Sequence, residues 1–149
     1  MGLYAGNKFV IKNSDIIVSI ASTTGIGTTE NKKLTPSDGA ASDYFGNSVA
    51  VGSGKIVVGS PYDDDNNAFL SGSAYIYDLD GTNEVKITAS DAAGSNFFGI
   101  SVAAGFGKIV VGAYKNAGRG AAYIYDLDGT NEVKITASDG AIDDYFGYS

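Results

Sequence analysis

Eighteen consecutive residues occur twice without a substitution: AYIYDLDGTNEVKITASD runs from Ala74 to Asp91 and again from Ala122 to Asp139. A fold needs apolar spacing and turn chemistry, and many different sequences satisfy both. Identity that extends to charged residues points instead to copying of a whole structural unit, the mark of a repeat architecture. The neighbouring text repeats too. An aromatic-Phe-Gly triplet stands at Tyr44-Phe45-Gly46, Phe97-Phe98-Gly99 and Tyr145-Phe146-Gly147, at spacings of 53 and 48 residues. KIVVG at Lys55 returns at Lys108. The spacing difference falls in one loop: SPYDDDNNAFLSGS follows Gly59, whereas only AYKNAGRGA follows Gly112. Insertions confined to a single loop are how repeats usually vary.

A fainter copy opens the chain. YAGNKFVIKNSDIIVS from Tyr4 aligns with YFGNSVAVGSGKIVVG from Tyr44, and KKLTPSDG (Lys32 to Gly39) parallels VKITASD. The 149 residues therefore divide as one array: a degenerate first unit over 4–43, a second over 44–96, a third over 97–144, and the start of another over 145–149.

Inside a unit the apolar period is two. Val49 and Val51 share a face, Tyr75 and Tyr77 oppose Ile76, and Val85, Ile87 and Ala89 oppose Glu84, Lys86 and Thr88. That alternation is the pleat of a strand. After its lysine, KIVV is continuously apolar, as in a strand covered on both sides. With 21 glycines and 2 prolines, the composition suits short strands and tight turns better than helices. Ser53-Gly54 and Asp80-Gly81 are expected to form hairpin turns. Each unit thus reads as four antiparallel strands in up-and-down order, with Glu84 and Lys86 protecting the edge of the fourth.

Four strands in about 50 residues is the arithmetic of a propeller blade. A β-sandwich would give no reason for a constant period. The expected fold is all-β, a β-propeller. Three units fall short of the usual four to eight blades. The expectation is therefore an incomplete propeller, the N-terminal portion of a longer one, or else a ring closed by several copies.

These motifs, in this order and spacing, resemble the FG-GAP repeat family. Phe45-Gly46, Phe98-Gly99 and Phe146-Gly147 supply the FG; Gly59-Ser60-Pro61 and Gly112-Ala113-Tyr114 stand at the GAP. The resemblance, which extends to integrin α-subunit heads and many bacterial surface proteins, implies a β-propeller that binds through loops on one rim. Integrin-type repeats carry an Asp-rich calcium loop between their first two strands. Here those loops are GSG (Gly52 to Gly54) and GFG (Gly105 to Gly107), without a carboxylate. The family's calcium sites are not carried over, and the chain is more similar to metal-free bacterial and phage variants.

The chemistry available is limited. With no His and no Cys, neither a Ser-His-Asp triad nor a Cys-His pair can be built, and no enzymatic activity is expected. Asp78 and Asp80, like Asp126 and Asp128, precede a glycine, but DLDG stops short of a calcium loop. Asp63, Asp64 and Asp65, followed by two asparagines, are the densest oxygen cluster. They are the candidate metal ligands, for Ca2+, against the alternative of a solvated acidic loop; no other cofactor is expected. Asp38, Asp43, Asp139, Asp143 and Asp144 are expected to cap turns between units. The Phe of each FG is expected to fill the space between blades, and its Gly to let backbones approach. GSGKIV around Lys55 lacks the rest of a phosphate loop.

A net charge of −7 argues against nucleic acid as a partner. No apolar run approaches the roughly 20 residues of a membrane span. The opening segment is broken by Asn7, Lys8, Lys12, Asn13 and Asp15 and does not read as a signal peptide. The functional expectation is a binding or display module at an extracellular or virion surface. It would meet a protein or glycan partner through rim loops, beside further blades of the same chain or other copies of it. The alternatives are a phage tail-fibre or decoration component, and a fragment of a propeller carbohydrate-active enzyme.

Overall fold

The computed structural model describes residues 8–12, 15–19, 32–64 and 68–149. The strands are β1 (Lys8–Lys12), β2 (Asp15–Ser19), β3 (Lys32–Leu34), β4 (Ser48–Gly52), β5 (Lys55–Ser60), β6 (Ser73–Asp78), β7 (Val85–Ile87), β8 (Val102–Gly105), β9 (Lys108–Ala113), β10 (Ala121–Asp126) and β11 (Val133–Ile135). Among the described residues there is no α-helix, only a 3-10 turn at Asn116–Gly118. The strands form three antiparallel meanders, β1-β2-β3, β4-β5-β6-β7 and β8-β9-β10-β11. Of the degenerate first unit, residues 4–7, 13–14 and 20–31 lie outside the described residues.

The period-two pattern sorts side chains onto two cores, one on each side of the middle sheet. Ile56, Val58, Tyr75 and Tyr77 meet Phe45 and, from β3, Leu34. Val57, Ile76 and Ile87 point the other way and meet Phe98, Ile109, Val111, Tyr123 and Tyr125 of the third sheet. Ile56, Val57 and Val58 are all fully buried, so β5 is covered on both faces. Each such side chain contributes roughly 1.5–3 kcal/mol of apolar burial.

The first strands of successive sheets, β4 and β8, lie side by side, and there the backbones touch. Gly46 N–H donates to the Gly59 carbonyl at 3.0 Å, and Gly99 N–H to that of Gly112 at 3.0 Å. Each FG turn therefore folds back onto the second strand of its own sheet. It also reaches the sheet before it: a Cβ on Gly59 would stand 1.9 Å from the Gly99 carbonyl oxygen. Gly112 and Gly147 repeat that relation at 1.9 Å. Phe98 further makes a parallel bridge with Gly72, and Phe146 with Gly120.

Ser53 (φ 50°) and Gly54 (φ 79°) form the expected tight turn between β4 and β5. Asp80-Gly81 likewise lies in a tight turn after β6: Gly81 N–H donates to the Asp78 carbonyl at 2.8 Å, Asp78 N–H to the Thr82 carbonyl at 2.9 Å, and Gly81 has φ 75°. Asp80 accepts bonds from the N–H and hydroxyl of Thr82, at 3.0 and 2.6 Å, which holds the turn.

Glu84 and Lys86 are also more than edge protection. Glu84 accepts from Ser37 Oγ at 2.6 Å and from the Tyr77 hydroxyl at 2.8 Å. Lys86 pairs with Asp38 and, at 2.9 Å, with Asp63. In the next copy Glu132 accepts from Ser90 and Tyr125, and Lys134 pairs with Asp91 at 2.6 Å. The repeated charges stitch one unit to the next, which is why the copy extends beyond the apolar positions.

Candidate functional site

Pairing of Ser48 with Gly59 and of Ser60 with Ser73 places the FG turns, the ends of β5 and β9 and the starts of β6 and β10 on one rim. The β4–β5, β6–β7 and β8–β9 turns lie on the opposite rim. On the first rim the residue before each FG is aromatic and left-handed: Tyr44 (φ 56°), Phe97 (φ 55°) and Tyr145 (φ 56°). A bulky L-residue there costs roughly 1–2 kcal/mol. The geometry turns the first ring of each triplet away from its neighbour. Phe45 and Phe98 go into the cores, while Tyr44 and Tyr145 stay on the surface.

The displaced rings join a ladder with Tyr62 and Tyr114, which follow β5 and β9. Tyr44 stands 4.6 Å from Tyr62, Tyr62 5.4 Å from Phe97, and Phe97 5.3 Å from Tyr114. Tyr114 then meets Tyr145 at 5.4 Å and Tyr148 at 5.2 Å. Phe97 is buried and anchors the row, whereas Tyr44 is 56% and Tyr148 60% exposed. The Lys115 ammonium lies over the Phe97 and Tyr114 rings, 5.3 and 5.5 Å from their centroids. Asp43, beside Tyr44, has its carboxyl raised by burial, against the hydrogen bond from Ala40 N–H and with the charges of Asp63 and Asp64 adding to the rise.

Of the acidic loop, the described residues Asp63 and Asp64 both meet protein partners. Asp63 is buried, and its carboxylate accepts from the Tyr75 hydroxyl at 2.9 Å and pairs with Lys86. Asp64 accepts from the Leu70 N–H at 2.7 Å. Asp65 lies outside the described residues. No group of three or more metal-ligating side chains is gathered among the described residues. Of the expected turn caps, Asp43 and Asp144 accept from Ala40 and Ala141 N–H at 2.6 and 2.7 Å. Asp38 instead binds Lys86 and the Tyr75 hydroxyl.

Phe98 is fully buried between the second and third sheets, Phe45 is buried against Tyr75 and Tyr77, and Phe146 is half-buried. Gly99 has φ 89°, and a Cβ there would stand 2.2 Å from the Ser73 carbonyl oxygen. Gly46 and Gly147 share the positive φ, at 92° and 82°. Sequence alone does not single out the ladder: the first aromatic of each triplet is visible, but spacing does not reveal the left-handed turn that sets those rings beside Tyr62 and Tyr114.

Blades of four antiparallel strands, stacked through FG turns, define a β-propeller-type repeat module. The family model for the FG-GAP repeat matches residues 28–77 and 82–125, more than half of the chain. The chain belongs to the FG-GAP repeat family, whose repeats are generally non-catalytic binding or structural modules. No curated protein matches it significantly.

Proposed function

We propose that this chain is a non-enzymatic binding module, displayed on an exterior surface, that meets its partner through the rim carrying the FG turns. The observation behind this reading is the aromatic ladder. Tyr44 and Tyr145 hold a costly backbone conformation and remain 56% and 39% exposed, each with one side packed on Tyr62 or Tyr114. Aromatic side chains are enriched at interfaces relative to the rest of a protein surface, and this rim gathers them in one row. The exterior setting belongs to the same proposal and rests on the resemblance to surface proteins of this family.

The test is an array carrying glycans and surface proteins, probed with the wild type and two variants. Tyr44→Ser with Tyr148→Ser alters the ladder. Phe106→Ser changes a fully exposed ring on the opposite rim. The expected result is a ligand class retained by the wild type and by Phe106→Ser, and released by the double variant. Equal loss with Phe106→Ser overturns the choice of rim, and turnover of an arrayed glycan overturns the non-enzymatic reading.

A further inference from the structure

We infer that a cavity beside the ladder, lined by Arg119 and Lys134, seats an acidic side chain of a partner protein; this rests on the binding-rim reading above and names its partner. The cavity measures about 200 Å³ and opens between the β9–β10 loop and the segment after β11, on the rim of the FG turns. Asn116, Ala117, Thr136 and Gly140 also line it. The two copies of the repeat give an internal template for what belongs there. In the second unit Lys86 lies between two carboxylates, Asp38 and the buried Asp63, and the Tyr75 hydroxyl is 2.9 Å from each. In the third unit Lys134 and Tyr123 repeat the lysine and the tyrosine, and Asp91 repeats Asp38. Asn116 stands in the place of Asp63, and its side-chain carbonyl accepts from the Lys134 ammonium at 2.7 Å.

A second exchange adds to the first. The residue before the glycine that bridges the following Phe is Ser71 in the second unit and Arg119 in the third. Among the described residues the Arg119 guanidinium has no ion-pair or hydrogen-bond partner. One cation against two carboxylates thus becomes two cations against one. What the third site lacks is a carboxylate, and the charge-assisted bonds of Asp63 show how one is held. The source of that carboxylate follows from size and surroundings. At about 200 Å³ the cavity falls below the roughly 300–1,000 Å³ of pockets that enclose whole ligands, and it suits one inserted side chain. Ile142, which touches the β9–β10 loop at Gly118, is 71% exposed. The neighbouring FG turn, whose Phe146 N–H donates to the Arg119 carbonyl, leaves Tyr145 and Tyr148 exposed. Exposed aromatic and aliphatic groups around an arginine match the anchors of a protein interface.

Titration of isotope-labelled protein with the peptide acetyl-Gly-Glu-Leu-Gly-amide tests this, read from backbone amide resonances. Those of Gly118, Gly120 and Gly140 should shift saturably, and the same peptide with Gln for Glu should bind at least about ten-fold more weakly. Arg119→Gln should weaken the Glu peptide about ten-fold. Asn116→Asp, which restores the arrangement of the second unit, should do the same without lowering the melting temperature. Both variants should leave circular dichroism unchanged. Equal binding of the two peptides, or no saturable shift with either, overturns the inference, as do shifts indifferent to both variants. Tighter binding of N-acetylneuraminic acid or inorganic phosphate overturns the choice of a protein side chain. If the array yields a ligand that Tyr44→Ser with Tyr148→Ser releases and Arg119→Gln keeps, the acidic-anchor inference falls and the binding rim stands.

Discussion

Asp38 and Asp91 occupy one position in successive copies, and each receives a lysine ammonium and a tyrosine hydroxyl from the following sheet. Burial would raise both carboxyls. Bonds from Lys86 and Tyr75 to Asp38, and from Lys134 and Tyr123 to Asp91, outweigh it and hold both below the ordinary 3.8. Burial, followed by the facing carboxylates, pushes the Tyr75 and Tyr123 phenols upward, so they remain donors. An acid whose folded value is depressed contributes stability that is whole above its unfolded value and is lost as pH falls through the folded one. Asp78 and Asp126, lowered by hydrogen bonds from Lys55 and Lys108 and then from Asn83 and Asn131, add to the same slope. Asp43, raised, opposes it. The melting temperature should therefore hold from pH 7 to about pH 5 and decline below about pH 4. With side chains 46% and 44% exposed, Asp38 and Asp91 should each be worth about 1 kcal/mol or less. Asp38→Asn with Asp91→Asn should melt lower at pH 7 and show a shallower acid decline; an unchanged slope would assign the acid response to other groups.

The FG turn joins two elements at once, lying on the second strand of its own sheet and against the backbone of the sheet before. Gly99 and Gly107 separate these demands, because both have positive φ, at 89° and 74°. Nothing lies within 4 Å of a Cβ built on Gly107, whereas one on Gly99 meets the Ser73 carbonyl. Gly107→Ala should cost only the left-handed penalty, about 1–2 kcal/mol. Gly99→Ala adds a backbone clash and should cost more than about 3 kcal/mol, read by urea denaturation. Equal costs would mean that the sheets do not meet at this point. The strands themselves were legible in sequence, since alternation at Tyr75, Ile76 and Tyr77 assigns each side chain to one of two faces. So was the FG motif, because its Phe and Gly recur at fixed spacing. The Lys86 stitch was not legible: its partners, Asp38 and Asp63, lie far off in sequence, and alternation alone reads a lysine on a fourth strand as solvated. The ladder escaped for a related reason, as a left-handed Tyr44 has no compositional mark.

Across the whole molecule, stacking makes identical sequence inhabit different surroundings. The second sheet presents Val57, Ile76, Val85 and Ile87 to the third, and the first two are fully buried. The matching residues of the third sheet, Val110, Ile124, Val133 and Ile135, face away from that contact, and Val133 is 54% exposed. The β10–β11 turn shows how the covered face is sealed: a Cβ on Gly129 would stand 2.8 Å from Ile87. Ser138 and Asp139 occupy the positions from which Ser37 with Asp38, and Ser90 with Asp91, each bond a following sheet. The two copies of VKI are therefore an internal control in which sequence is constant and only packing varies. Ile87, 6% exposed, should lose about 2–4 kcal/mol on change to Ala, while Ile135, 38% exposed, should lose about 1 kcal/mol. Chemical denaturation of dilute protein reads both. If the two changes cost the same, and the Ile135→Ala loss grows with protein concentration, then another copy of the chain covers the third sheet in solution, since mass action links association to stability.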